Sequence, residues 1–150
     1  MVNPDRRPTV GVGAVVWRDE RVLLIRRGKA PRRGEWSLPG GRQEWGETVE
    51  AALRREVREE TGLELGPLVF VAVVDLVTTD TDGTVTHHYT LLDYTAEAAA
   101  GDPVAGDDAE LVAWIDLTEL ADLALWDRTR AVIERAARLR AGAAHLATGS

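Results

Sequence analysis

The chain has 150 residues, a net charge of -7 and 45% hydrophobic residues, the composition of a folded protein long enough to bury a core and not of a disordered one. It holds no cysteine, which removes disulfides, thiolate catalysis and cysteine-based zinc sites. The acidic balance argues against a protein that coats nucleic acid, but a bound divalent cation can invert the local charge and admit a nucleotide.

In chain order, the opening MVNPDRRPTV lacks the apolar stretch of a secretory signal, and residues 1–8 read as a loose lead-in. No apolar run approaches the roughly 18–20 residues of a membrane span, so the expectation is a cytoplasmic protein with no membrane partner. Thr9–Trp17 and Arg21–Arg27 are β-rich runs around the turn-like Arg18-Asp19-Glu20 and predict a hairpin or neighbouring strands. Gly11 and Gly13 do not make a dinucleotide fingerprint, because position 16 is Val. Gly28–Glu35 is a basic loop with Pro31 and hinge glycines at Gly28 and Gly34. Arg26, Arg27, Lys29, Arg32 and Arg33 form a basic stretch, in which Arg26 or Arg27 is a candidate phosphate contact. Trp36-Ser37-Leu38 reads as a short extended piece, with Trp36 either stacking on a base or ribose or half-buried in the core. Pro39-Gly40-Gly41 is a breaker cluster, and its glycines let backbone approach a ligand closely. Gly46-Glu47-Thr48 then leads into a helix that ends near Thr61 with Gly62 as its cap.

That helix carries Glu56, Glu59 and Glu60 at spacings i, i+3 and i+4, which puts three carboxylates on one side. With Val49 at zero and about 100° per residue, Glu56 falls at about 340°, Glu60 at about 20° and Glu59 at about 280°. The apolar Leu53, Val57 and Ala52 fall at about 40°, about 80° and about 300°, in the same sector. Arg54 and Arg58 take the other side, and Arg55 also lies off the carboxylate face. The expectation is that all three acids face the protein body. Buried carboxylates without partners are costly, so something cationic should meet them there.

Leu68–Thr78 and Val85–Thr95 predict two strands, and Thr79-Asp80-Thr81-Asp82-Gly83 between them has turn chemistry, so an antiparallel hairpin is expected. His87 and His88 are consecutive on a strand and point to opposite faces, which argues against joint chelation of one metal. Ala96–Asp108 reads as a small-residue loop, Glu110–Ile115 as a strand and Leu117–Leu120 as the start of a short helix. Asp127 is expected to cap a last helix to about Arg140, with Val132, Ile133, Ala136 and Ala137 at core-facing spacing, and residues 141–150 to fray. There is no internal repeat and no linker, which predicts one domain over residues 1–150 with an ordered core over about 8–140.

Between Gly41 and Leu63 the chain reads GRQEWGETVEAALRREVREETGL. This resembles the Nudix box, Gly-x5-Glu-x7-Arg-Glu-aliphatic-x-Glu-Glu-x-Gly-aliphatic, at every defined position: Gly41, Glu47, Arg55, Glu56, Val57, Glu59, Glu60, Gly62 and Leu63. The resemblance implies the Nudix fold, an α/β/α sandwich with a mixed β-sheet. It implies a pyrophosphohydrolase using Mg²⁺, with Mn²⁺ as a substitute, on a small-molecule nucleotide. Glu56, Glu59, Glu60 and the Gly40 carbonyl would be metal ligands, with Glu56 either ligand or base. Arg55 would pair with Glu47 and Glu56 and hold them in position. Glu47, Arg55, Glu56 and Glu59 are thus the catalytic candidates, and Arg26, Arg27, Trp36, Gly40 and Gly41 the substrate-binding ones. Asp107, Asp108 and Glu110 are candidates for an extra acid from a late loop, or a polar turn and strand end. Within the family the reading is an ADP-ribose-type pyrophosphatase, with a MutT-like (d)NTP pyrophosphatase, including one for oxidised nucleotides, close behind. A non-catalytic nucleotide sensor is the reading of another class. A homodimer is compatible with the chain.

Overall fold

Seven strands form one mixed sheet, with a helix on each side. The computed structural model describes residues 6–28, 32–106 and 109–148. The strands are β1 (Thr9–Arg18), β2 (Arg21–Arg27), β3 (Trp36–Ser37), β4 (Gly40–Arg42), β5 (Val69–Thr79), β6 (Val85–Glu97) and β7 (Ala109–Asp116). The helices are α1 (Val49–Thr61) and α2 (Asp127–Thr148), with a 3-10 turn over Leu117–Asp122 between β7 and α2. The main path of the sheet is β3-β2-β1-β6-β5, with β4 on β1 and β7 on β2. The β1–β6 pair is parallel and the other named pairs are antiparallel.

β1 explains the layering. It is apolar at nearly every position, as a strand covered on both faces must be. Val12, Ala14 and Val16 point to one side and pack with Ala52, Leu53 and Val57 of α1. Val15 and Trp17 point to the other and pack with Val132, Ile133 and Ala136 of α2. The two helices therefore cover opposite faces, which is the expected α/β/α sandwich. Leu53 and Val57 are fully buried, and burial of such a side chain contributes about 1.5–3 kcal/mol.

α1 starts and stops where its sequence says. Thr48 is extended and its hydroxyl accepts from the Ala51 N–H at 3.1 Å, satisfying one of the orphan donors of the first turn. Gly62 takes φ +74 and its N–H donates to the Arg58 carbonyl, the left-handed closure that a Cβ disfavours.

Three expectations are corrected. The Pro39-Gly40-Gly41 breaker contains most of a strand: Gly40, Gly41 and Arg42 pair with Gly13, Val12 and Gly11. Glycine is tolerated there because backbone packs against backbone, and a Cβ on Gly40 would sit 1.9 Å from the Val12 carbonyl oxygen. The last helix does not fray at 141 but continues to Thr148, since residues 141–147 are mostly alanine and leucine, which favour helix. Asp127 is its first helical residue, not its cap. The Arg130 N–H closes on the Trp126 carbonyl at 3.1 Å, so Trp126 takes the capping place, and Asp127 favours the helix as a first-turn anion. Among the described residues no helix is long and apolar enough to cross a membrane.

Candidate active site

The site is built where the short strand β4 meets the middle of α1. Gly41 stands directly against Glu56: a Cβ on Gly41 would lie 2.2–2.6 Å from the Glu56 carboxylate atoms. Gly40 donates its N–H to Oε2 of Glu60 at 3.2 Å. The two glycines of the breaker cluster are thus the floor on which two box carboxylates rest.

The cation that the inward acids required is Arg55. Its Nε and Nη2 donate to the two oxygens of Glu47 at 2.7 and 2.8 Å. Its Nη1 donates to Glu56 Oε1 at 2.9 Å and to Glu59 Oε2 at 3.2 Å. Its Nη2 also reaches the Arg42 carbonyl at 2.9 Å, which ties the guanidinium to β4. The planar fork of arginine makes such shared, bidentate contacts where lysine does not. Arg55 itself is partly buried, with 22% of its side chain exposed. Its hydrogen bonds to Glu47 and then to Glu56 hold it more firmly protonated than an ordinary arginine. In return Arg55, helped by the Glu44 N–H, pulls the Glu47 carboxyl down to about 2. The loop before α1 is pinned by the same residue, because Gln43 donates its side-chain amide to the Glu47 carbonyl at 2.7 Å.

The expectation that all three acids face inward needs one correction. Glu56 is largely covered, at 16% side-chain exposure, whereas Glu59 is 57% exposed. At about 280° Glu59 lies at the margin of the buried arc, and its long side chain leaves that arc for the rim, returning only to Arg55.

Of the remaining candidates, Arg26, Trp36 and Glu110 form a group of their own. Arg26 pairs with Glu110 at 3.1 Å and lies 5.9 Å over the Trp36 ring. Glu110 is therefore matched to a β2 arginine. Asp107 and Asp108 lie outside the described residues. The loop that leads to them is docked on α1: the Gly106 N–H donates to the Glu60 carbonyl and the Val104 N–H to the Thr61 carbonyl, each at 2.8 Å. Arg27 ends β2, where its backbone pairs across the basic loop with Gly34 and Glu35. Trp36 is half-buried, and its backbone N–H donates to the Ala124 carbonyl at 3.0 Å. His87 and His88 sit on β6 at successive positions, as expected.

Sequence reasoning missed three residues here. Arg42 follows the second glycine and donates to the Tyr89 hydroxyl at 3.2 Å, with its guanidinium 5.9 Å over the ring. Trp126 is flanked by Arg32 and Arg128, at 5.9 and 5.8 Å. Asp93 is buried on β6. No local spacing signals the Arg42–Tyr89 pair or the position of Trp126 between two arginines, which tertiary folding brings about. An Asp directly after Leu91 and Leu92 in a strand was a legible anomaly.

The donor set suits a hard divalent cation. Glu56, Glu59 and Glu60 offer only carboxylate oxygens, and the missing Cβ of Gly41 leaves Glu56 its place. Among the described residues no three acids or histidines converge as a ready cage. Mg²⁺ is commonly held by one or two carboxylates with substrate phosphates and water, and does not need such a cage.

Comparison with known proteins agrees with this geometry. The NUDIX domain family model matches residues 7–136. An ADP-ribose pyrophosphatase of Methanocaldococcus jannaschii is 38% identical over 78% of this chain and 67% of its own length. A putative 8-oxo-dGTP diphosphatase 2 of Mycobacterium tuberculosis is 41% identical over 76% of this chain and 77% of its own. The crystal structure of a MutT NUDIX hydrolase from Burkholderia pseudomallei superposes with a TM-score of 0.76 at 37% identity, covering 87% of this chain and 98% of that one. The chain belongs to the Nudix family, whose hydrolases act on pyrophosphate bonds.

Proposed function

We propose that this protein is a Mg²⁺-dependent hydrolase of the diphosphate linkage in a nucleoside diphosphate derivative, ADP-ribose-like, acting in the cytoplasm as one domain. The observation that carries the reading is Arg55 gripping Glu47, Glu56 and Glu59 beside the Gly40–Glu60 contact. Glu56, Glu59, Glu60 and the Gly40 carbonyl would hold the cation. When bound, Mg²⁺ neutralises the diphosphate and lowers the pKa of a coordinated water.

The chain's own groups do the rest. Arg55 fixes the directions of Glu56 and Glu59 by hydrogen bonds from a single nitrogen. Glu47 keeps that nitrogen in place by occupying the other two, so its role is positioning. Gly40 and Gly41 keep the carboxylates close to backbone, leaving no side chain between them and a phosphate. Glu56, the more covered acid, is the alternative base: where it does not hold the cation, it would accept the proton of the attacking water. Arg26, Arg27 and Arg42 are the cations nearest in sequence and fold for the departing phosphate.

The M. jannaschii relative favours the ADP-ribose reading. The M. tuberculosis relative, similarly identical over a larger share of its own length, favours (d)NTP hydrolysis as the second. A panel assay separates them: AMP released from ADP-ribose against pyrophosphate released from dNTPs, including 8-oxo-dGTP, each with and without Mg²⁺. Strong dNTP turnover with no ADP-ribose turnover overturns the first reading. Binding without turnover in wild type and Glu60→Gln alike favours a sensor.

A further inference from the structure

Asp93 is a charge-bearing side chain that the box chemistry leaves unused. Only 6% of it is exposed. Among the described residues its carboxyl enters no hydrogen bond and no ion pair. The strands beside it offer no countercharge, since its register partners are Gly13 on β1 and Ala72 on β5. Burial alone pushes the carboxyl up to about 6. A largely buried carboxyl without a protein partner is costly to keep, and since no fully enclosed side-chain oxygen among the described residues lacks a partner, the Asp93 oxygens reach a narrow opening.

The surroundings indicate what it waits for. β1 has glycine at two successive positions of this sheet face, Gly11 and Gly13. A Cβ on Gly13 would lie 2.5 Å from Asp93 Oδ1 and 3.8 Å from Leu38 Cδ1. A Cβ on Gly11 would lie 2.6 Å from Leu91 Cδ2, 3.5 Å from the Gly41 carbonyl oxygen and 3.8 Å from Tyr89 Cδ1. Asp93 and Leu91 thus fill the space that side chains at positions 13 and 11 would take, next to Leu38 and β4. In register, Asp93, Gly13 and Gly40 form one row across β6, β1 and β4. Strands lie about 4.8 Å apart, so Asp93 is about 10 Å across the sheet from Gly40, the reach of one nucleoside. β4 borders both surfaces: the Cβ direction of Gly41 meets Glu56, while its carbonyl faces Gly11.

We propose that Asp93 reads the base of the substrate: with the phosphates at Gly40 and the box glutamates, the base lies against Leu38 and Leu91 at the β4 edge and gives an amino N–H to the Asp93 carboxyl. This rests on the nucleotide reading above and deepens it. The aliphatic flanks Leu38 and Leu91 suit a flat base better than a sugar, and the single carboxyl selects a base with an N–H donor. Asp93 is then a specificity residue and takes no part in bond cleavage.

The test uses two substrate pairs that differ by one exocyclic amino group: ADP-ribose with its purine-base analogue, and dGTP with dITP. Wild type, Asp93→Asn and Asp93→Ala are compared by kcat and KM on each. The same pairs are titrated by calorimetry against Glu60→Gln and Glu60→Gln/Asp93→Ala. The expected result is an about tenfold or greater wild-type preference for the amino-bearing member of the accepted pair. In Asp93→Ala that preference falls to within about twofold, through KM, with kcat held and thermal stability not reduced. Equal loss on both members of a pair, or a preference that survives in Asp93→Ala, overturns the proposal and leaves the hydrolase reading standing. Binding with an Asp93-dependent preference but no turnover by wild type keeps the proposal and overturns the hydrolase. Neither binding nor turnover of any of the four overturns both.

Discussion

Glu47 and Asp93 lie on opposite sides of one sheet and are pushed in opposite directions. Glu47 sits beside a guanidinium that donates to both its oxygens, and its carboxyl falls to about 2. Asp93 sits among glycine, alanine and leucine, and its carboxyl rises to about 6. The difference is the presence of a partner, since desolvation raises both and only Glu47 has a cation to oppose it. On the box side Arg55 holds the Glu47 carboxyl ionised. The far side holds an acid that burial makes harder to ionise.

Four substitutions separate the two sides of the sheet. The largest effect is expected from Glu60→Gln, which removes a carboxylate resting on Gly40. Turnover of the accepted nucleotide should fall on the order of 10³-fold, with the melting temperature kept. Retained turnover would remove Glu60 from the site.

The second is at Asp93. Its folded carboxyl is raised above the unfolded value of 3.8, so burial costs nothing below about pH 4, and the full cost is present above about pH 6. Asp93→Asn should match wild type at pH 4 and exceed it at pH 7 by up to about 3 kcal/mol in urea unfolding. A constant difference across that range would show that Asp93 is not perturbed by burial.

Arg55→Ala comes third and acts on the opposite face. Activity should fall about 10–100-fold, the usual size for a residue that orients the groups doing the chemistry, and Arg55→Lys should recover little of it. The Glu47 carboxyl is depressed in the folded state, so its stabilisation is complete above pH 4.5 and is lost as the pH falls toward 2. In Arg55→Ala the urea midpoint should lose that acid dependence. A wild-type slope in the variant would show another origin for the Glu47 shift.

Thr48→Ala is the smallest change. It removes the α1 cap and should cost about 1 kcal/mol, with both pH signatures intact. A change in either signature would show that the carboxylates respond to helix fraying and not to their partners.

Much of this was legible beforehand, for identifiable reasons. The α1 bounds rest on local chemistry, a hydroxyl cap at Thr48 and a left-handed glycine at 62. The box spacing named the residues that meet around Arg55, because neighbours on a helix meet at i+3 and i+4. The β4 strand was not legible, since Pro-Gly-Gly reads as a breaker and forms a strand only when β1 supplies the facing backbone. The inward placement of Glu59 failed because angular position does not fix where a long flexible side chain ends. The continuation of α2 past Arg140 was underestimated, because frayed ends were assumed where alanine and leucine sustain the helix.

Local pattern was enough to place the chain among the Nudix hydrolases and to name the carboxylates that gather around Arg55. The carboxylates, their arginine and their cap lie within 23 residues, inside the range over which helical periodicity fixes geometry. Which backbone those acids rest on, and the lack of a partner for Asp93, came from strand pairing. Both depend on register between strands far apart in the chain, Gly13 with Gly40 and with Asp93. Whether a buried carboxyl is paired or exposed to a substrate is set by what folds against it, and no local pattern carries that information.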